Sequence, residues 1–345
     1  MGSLTELGLA SAILLAAAAP VLLYVVVAVV RRPQVGLLLL AALLPFDGIL
    51  LLLPGGDAFG PWKEALLVLT LLAALVAPRA ARAAGPVEMP GWVPAAVAFV
   101  ALGVLSAALT GGIIALWGLK VSFFYALVPF VMWLCPFTAR DRDRLVSILM
   151  ATGLLTVLVG LAQQALGPAR LNALGFEYNS AIRFSGGLLR SFSTFTQPFS
   201  FGLFISMVLL VCLPVAMADA RRTRNLLFLL ATPLLVVGMA TSVVRGAILA
   251  LAVGLLVLMV WRFRGLFHAG VPALLALLLV PTAVLTSYFS SSSLGQRTSG
   301  WATIFDSLLT APLGNGIGTT GAAAEKAFDL GAPASALVTD QGTTD

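Results

Sequence analysis

Charge is scarce in this sequence: Asp, Glu, Lys and Arg together make up 10% of its 345 residues. A soluble domain carries about a quarter charged residues, so a water-facing surface cannot be assembled from this chain. Histidine occurs once, at His268, which excludes a histidine-rich metal centre. The two cysteines, Cys135 and Cys212, fall at the end of one apolar run and inside another, and read as small hydrophobes. So few cysteines exclude a disulfide scaffold, and the apolar content excludes a disordered chain. No Ser-His-Asp order and no Walker sequence is found, which leaves hydrolase and ATPase readings without support.

In place of charge the chain has apolar runs. Apolar residues make up 60% of the sequence and the mean hydropathy is +1.05. A helix needs roughly 20 apolar residues to cross a bilayer. Ten runs qualify as candidates, at about 7–30, 35–53, 64–77, 92–109, 113–134, 145–166, 199–217, 226–244, 246–261 and 270–289. Their Leu and Ala content makes them helical, because backbone in lipid must satisfy its own hydrogen bonds. The expected fold is therefore an all-α, polytopic membrane helix bundle. It divides into N-terminal spans (1–166), a large outer loop (167–198), a second group of spans (199–289) and a polar outer segment (290–345).

The first run is followed rather than preceded by basic residues, Arg31 and Arg32, so it reads as a retained anchor with an outer amino terminus. With that orientation Arg31, Arg32, Arg79, Arg82, Arg140, Arg142, Arg144, Arg221, Arg222, Arg224, Arg262 and Arg264 all face the cytoplasm, 12 of the 20 basic residues. The net charge of +6 thus reports topology, and no nucleic-acid partner is implied.

Ionisable groups that topology does not require are the candidates for function. Arg245 interrupts a long uncharged stretch in Thr241-Ser242-Val243-Val244-Arg245-Gly246-Ala247. Either it snorkels at a tight Arg245-Gly246 hairpin or it binds a buried anion. In the outer loop, Arg183 and Arg190 flank Gly186 and Gly187, and Phe192 and Phe195 read as interfacial anchors. Glycines let backbone amides approach a ligand, and guanidinium forks match phosphate oxygens. Arg297 and Trp301 precede Pro312-Leu313-Gly314-Asn315-Gly316-Ile317-Gly318, a glycine series unlike a phosphate loop or dinucleotide fingerprint. Residues 300–310 have the apolar spacing of a helix lying on the membrane surface.

Other charges have plainer readings. Asp141-Arg142-Asp143 has the spacing of a metal-diphosphate motif but reads as a self-neutralising loop among alternating arginines. Asp47, in Pro45-Phe46-Asp47-Gly48, suggests a broken second span. Lys120 either pairs with an acid or snorkels.

Three segments together resemble the O-antigen ligase and polysaccharide polymerase family. They are Arg183 to Gly202, ending Thr-Phe-Thr-Gln-Pro-Phe-Ser-Phe-Gly; Thr241-Ser242-x-x-Arg245-Gly246-Ala247; and Arg297-x-x-x-Trp301 with the glycine series after it. Arg170 and Gly186 also have the Arg-x15-Gly spacing of polymerase loops. Two valines separate Ser242 from Arg245 where the family has them adjacent, and the outer loops contain no histidine, which favours a polymerase over a ligase. The family has further spans after the last of these segments, so the chain is expected to be a piece of a longer protein.

The resemblance implies a multi-pass protein of the bacterial cytoplasmic membrane that builds surface polysaccharide. It implies an inverting, metal-independent glycosyl transfer without a cofactor, from an undecaprenyl diphosphate-linked glycan to a glycan or lipid acceptor. Arg245 and Arg297 are then expected at the leaving diphosphate. Arg183, Arg190, Gly186 and Trp301 are expected to bind substrate, with Glu177, Asp306 or Glu325 as candidate bases. A lipid-linked oligosaccharide flippase or another multispan transporter is the competing expectation, followed by a non-catalytic assembly subunit.

Overall fold

Proline, glycine and one threonine set where the helices begin and end. The structure, a computed structural model, describes residues 19–50, 60–76, 90–176, 178, 182–185, 187–261, 305, 316–319, 323–324 and 328. Its helices are α1 (Ala19–Arg31), α2 (Pro33–Leu43), α3 (Asp47–Leu50), α4 (Trp62–Val76), α5 (Val93–Thr110), α6 (Gly112–Phe123), α7 (Leu127–Leu134), α8 (Ala139–Ala173), α9 (Pro198–Ala218), α10 (Thr223–Thr241) and α11 (Arg245–Trp261). A two-stranded antiparallel hairpin, β1 (Arg183–Ser185) and β2 (Leu188–Arg190), lies between α8 and α9. Helix α5 has a proline in its first turn, where no N–H partner is lost, and stops at Gly111 with φ of +69°.

Six spans among the described residues are long and apolar enough to cross a membrane: Pro33–Leu50, Val93–Thr110, Gly112–Leu134, Ala139–Ala173, Pro198–Ala218 and Thr223–Thr241. This is the make-up of an all-α, multi-pass membrane protein. Of the other expected spans, Ala19–Arg31 and Arg245–Val260 are shorter apolar helices, α4 has 15 residues, and 270–289 lies outside the described residues.

Two spans are broken, each by a 3-10 turn. Leu44–Phe46 separates α2 from α3, as Pro45 suggests, and Phe124–Ala126 separates α6 from α7. Helix α8 is also two pieces, because Gly167 (φ 74°, ψ 168°) and Pro168 break it. The piece before the break is about 42 Å long at 1.5 Å per residue, well above the roughly 30 Å of a hydrocarbon core.

The expected span 145–166 starts earlier than predicted, at Ala139. Thr138 caps the helix: its Oγ1 accepts from the Asp141 N–H at 3.2 Å, and the Asp141 carboxylate accepts from the Thr138 N–H at 3.2 Å. Residues 140–144 are therefore helix and not the self-neutralising loop read from the sequence. Asp143 bonds instead to Arg222 and Arg224, across to the start of α10.

The chain forms two units, one of Met1–Pro33, Leu67–Pro136 and Ser291–Asp345, the other of Gln34–Leu66 and Phe137–Ser290. In the first, α5 packs on α6 with Phe99 edge-on to Phe123, ring centroids 5.0 Å apart. Lys120 lies 4.4 Å over the Trp117 ring. Gly316–Gly318, the end of the glycine series, docks here: the Ile317 N–H donates to Ser106 Oγ at 2.9 Å, and a Cβ on Gly118 would lie 2.7 Å from the Gly318 nitrogen.

In the second unit α8, α9, α10 and α11 share one core, centred on Val157, Phe201, Ile205, Val208, Leu235 and Leu251. Small residues bring these helices together, as membrane helices require when burial in lipid gives little driving force. A Cβ on Gly153 would meet Val208, one on Gly160 would meet Phe201, and one on Gly238 would meet Val157. Both cysteines are buried thiols, Cys135 in the first unit and Cys212 in the second.

Gly202 faces Ser242 and Val244, and an added Cβ would lie 2.7 Å from Ser242 Oγ and 3.1 Å from Val244 Cβ. Gly202→Val is expected to destabilise the protein by about 1–3 kcal/mol through overpacking. Gly246→Ala, with nothing within 4 Å of its Cβ, should stay within about 0.5 kcal/mol. Thermal unfolding of both variants in detergent checks this, and equal losses would sink the packing account.

Candidate functional site

The stretch from β1 to α9 lies over the end of α8 and is not a loose loop. Two adjacent glutamines near that end hold it. Gln163, 3% exposed, accepts from the Phe192 and Ser193 N–H groups at 3.2 and 2.7 Å and donates to the Ser193 carbonyl at 2.8 Å. Gln164 donates to the Leu189 carbonyl and to Ser191 Oγ, both at 2.8 Å. Ser191 and Ser193 hydroxyls donate in turn to the Gly160 and Thr156 carbonyls of α8. Every polar group of Ser193 is thus paired, which is what lets a non-glycine residue sit at φ of +57°.

Phe192 is fully buried with Leu171, Ile182, Leu189 and Phe176, and Phe195 packs on Phe201 and Phe204. The sequence reading of Phe192 as a membrane anchor is therefore corrected, since it is the hydrophobic interior of the segment, while Phe195 is half-buried against the core of the helices.

The broken second span docks against the same segment. The Thr194 hydroxyl donates to the Pro45 carbonyl, and the Gly48 N–H donates to the Thr194 carbonyl at 3.0 Å. A side chain on Gly48 would collide with the backbone of Phe195 and Thr196, so only glycine fits. Asp47 is held by Lys63 at 2.5 Å and by Trp62 Nε1 at 2.9 Å, both from the start of α4.

Three of the arginines named from the sequence come together here. Arg183 and Arg190 are directly opposed across the hairpin, an arrangement that like charges disfavour. Arg190 Nε donates to the Ser242 carbonyl at 3.3 Å, and the Ser191 N–H donates to the Thr241 carbonyl at 2.9 Å. These bonds bring the hairpin to the α10–α11 turn, which Arg245 follows. Burial, then the positive charges of Arg183 and Arg245, hold the Arg190 guanidinium below its usual pKa. Burial and like charge both weigh against its charged form.

The expected Arg245-Gly246 hairpin is also corrected. The turn is made by Ser242–Val244, and Arg245 is the first residue of α11. Val243 takes φ of +52°, strained for a β-branched side chain, and is buried. The amino end of a helix carries partial positive charge, so the helix dipole does not favour an arginine there.

Gly186, Arg297 and Trp301 lie outside the described residues, as do His268 and the candidate bases Glu177, Asp306 and Glu325. The residues that sequence reasoning missed are Gln163, Gln164, Ser191 and Ser193. Their signal was present: two neighbouring amides inside Leu161-Ala162-Gln163-Gln164-Ala165-Leu166, an otherwise apolar run. No family model, curated protein or solved structure matches the chain.

Replacing Gln163 by Ala leaves two buried N–H donors and one buried carbonyl without partners, at about 1–3 kcal/mol for each group. Hydrogen exchange of the Phe192 and Ser193 amides is expected to speed up at least tenfold, while amides around Val208 in α9 keep their protection. Unchanged protection at residues 192–193 would refute the clamp.

Proposed function

We propose that this chain is a membrane glycosyltransferase of the O-antigen ligase and polymerase type, acting at the outer leaflet on polyprenyl diphosphate-linked glycans. The observation that carries this reading is the convergence of Arg183, Arg190 and Arg245 at one end of the second unit, with Arg190 desolvated among positive charges. Such a site favours a compact, multiply charged anion over a neutral sugar.

In this reaction an acceptor hydroxyl oxygen attacks the anomeric carbon and the hydroxyl proton passes to a base. The bond from that carbon to the diphosphate oxygen breaks with inversion, and the polyprenyl diphosphate leaves with the electron pair. Negative charge grows on the leaving oxygen in the transition state. Guanidinium groups fixed beforehand stabilise that charge without having to reorganise. The Ser242 carbonyl orients the Arg190 fork, Gln164 fixes the strand that carries it, and Gln163 fixes the residues that follow.

Arg190→Ala and Arg245→Ala are each expected to lower transfer about 10²–10³-fold, the range for losing one preorganised donor. Arg245→Lys should recover little of this, because lysine lacks the bidentate fork. The measurement is elongation of labelled lipid-linked repeats in reconstituted vesicles at matched protein amounts. Full activity of the Arg245→Ala protein would remove the arginine site from the mechanism.

A second reading, transport of lipid-linked oligosaccharide, has one observation in its favour: the 3-10 breaks within Pro33–Leu50 and Gly112–Leu134. Broken helices at membrane depth characterise transporters. In the same vesicles, leaflet exchange of the labelled lipid without new glycosidic bonds would select this reading.

A further inference from the structure

At the far end of α8 from the glutamines, a second group of arginines collects. Arg140, Arg142 and Arg144 occupy the first two turns of α8, and Arg221, Arg222 and Arg224 lie where α9 passes into α10. Asp143 joins the two stretches. Arg222 grips its carboxylate with both Nη atoms at 2.7 and 2.9 Å, and Arg224 Nη1 adds a bond at 3.0 Å and another to Ser147 Oγ at 2.6 Å.

Two of the three acids in this patch are already engaged. Asp143 serves two guanidiniums, and Asp141 is 1% exposed inside the helix cap. Six arginines against Asp141, Asp143 and Asp219 leave an excess of three positive charges over residues 138–147 and 219–225. Arg140, Arg142, Arg144 and Arg221 are exposed and form no ion pair among the described residues.

Interactions among the described residues do not account for them. Arginine in the first turns of a helix opposes the helix dipole, which favours acids there. The patch also sits at the end of helices long enough to cross a bilayer, at the height of the lipid headgroups. Anionic headgroups carry phosphate oxygens at that height, and guanidinium forks grip them. A neutral zwitterionic headgroup offers no net charge to offset the excess.

We propose that Arg140, Arg142, Arg144 and Arg221 form a binding surface for anionic phospholipid headgroups, braced by the Asp143–Arg222–Arg224 cluster. This surface is separate from the arginines of the candidate site and does not depend on the glycosyltransferase reading. Asp143 is its keystone, since it holds the α9–α10 turn beside the first turns of α8.

Native mass spectrometry of the full chain in detergent, with phosphatidylglycerol and phosphatidylcholine added together, tests the proposal. Each arginine beside an anionic surface contributes roughly fivefold in affinity. The wild-type protein should therefore prefer phosphatidylglycerol at least tenfold. The quadruple variant Arg140→Gln, Arg142→Gln, Arg144→Gln, Arg221→Gln should fall to within about twofold of no preference. The corresponding quadruple Lys variant, which keeps the charge, should retain most of it. If the Gln quadruple does not fold, Arg140→Gln and Arg221→Gln alone should each lower the preference several-fold. A wild-type protein without preference, or a folded Gln variant that keeps it, overturns the proposal.

Discussion

Backbone that is neither helix nor closed sheet can lie against membrane helices only if its polar groups find partners. Here the Gln163 side chain supplies three of them, binding the Phe192 and Ser193 amides and the Ser193 carbonyl. Without that pairing the segment after β2 would have to leave α8 for water. The hydrophobic contacts of Phe192, the docking of the broken second span through Thr194, and the approach of the hairpin to the α10–α11 turn all build on a segment held in place. The amide side chain suits this role because it both donates and accepts, so one residue can close a loop of backbone against a helix.

The second unit treats arginine in two ways. At one end Asp143 accepts from Arg222 and Arg224, which pairs part of the arginine charge within the chain. At the other, the charges acting on Arg190 are those of Arg183 and Arg245, and its burial is high enough to disfavour the charged form. The grouping of Arg183, Arg190 and Arg245, on a hairpin fixed by buried hydrogen bonds and beside the positive-φ Val243, gathers guanidinium groups in one place. It is the physical basis on which the diphosphate reading rests.

The resemblance and the geometry meet at particular residues. Thr241 to Ala247 was legible as a place where charge interrupts an apolar stretch. Its use as the acceptor surface for Arg190 and Ser191 was not, because those bonds run through backbone carbonyls, which any residue possesses. Phe192 was misread for a similar reason: an aromatic near a span end looks the same in sequence whether it faces lipid or a small core of its own. Asp141 shows the opposite case. Its spacing from Asp143 among alternating arginines read as a self-neutralising loop, and the structure assigns one to a helix cap and the other to an interhelix ion pair.

The sequence by itself determined the solvent. With so little charge and so many long apolar runs, the spans had to be helices that satisfy their own hydrogen bonds, and Pro45 already marked a break in the second of them. Tertiary structure decided which arginines meet. Arg183 and Arg190 are neighbours in sequence, but Arg245 joins them only because residues 188–194 are bonded at once to α8 and to the turn after α10. Such bonds link residues 25 to 52 positions apart. Their partners are set by how Gly153, Gly160 and Gly238 let the helices approach, which no local pattern in the chain encodes.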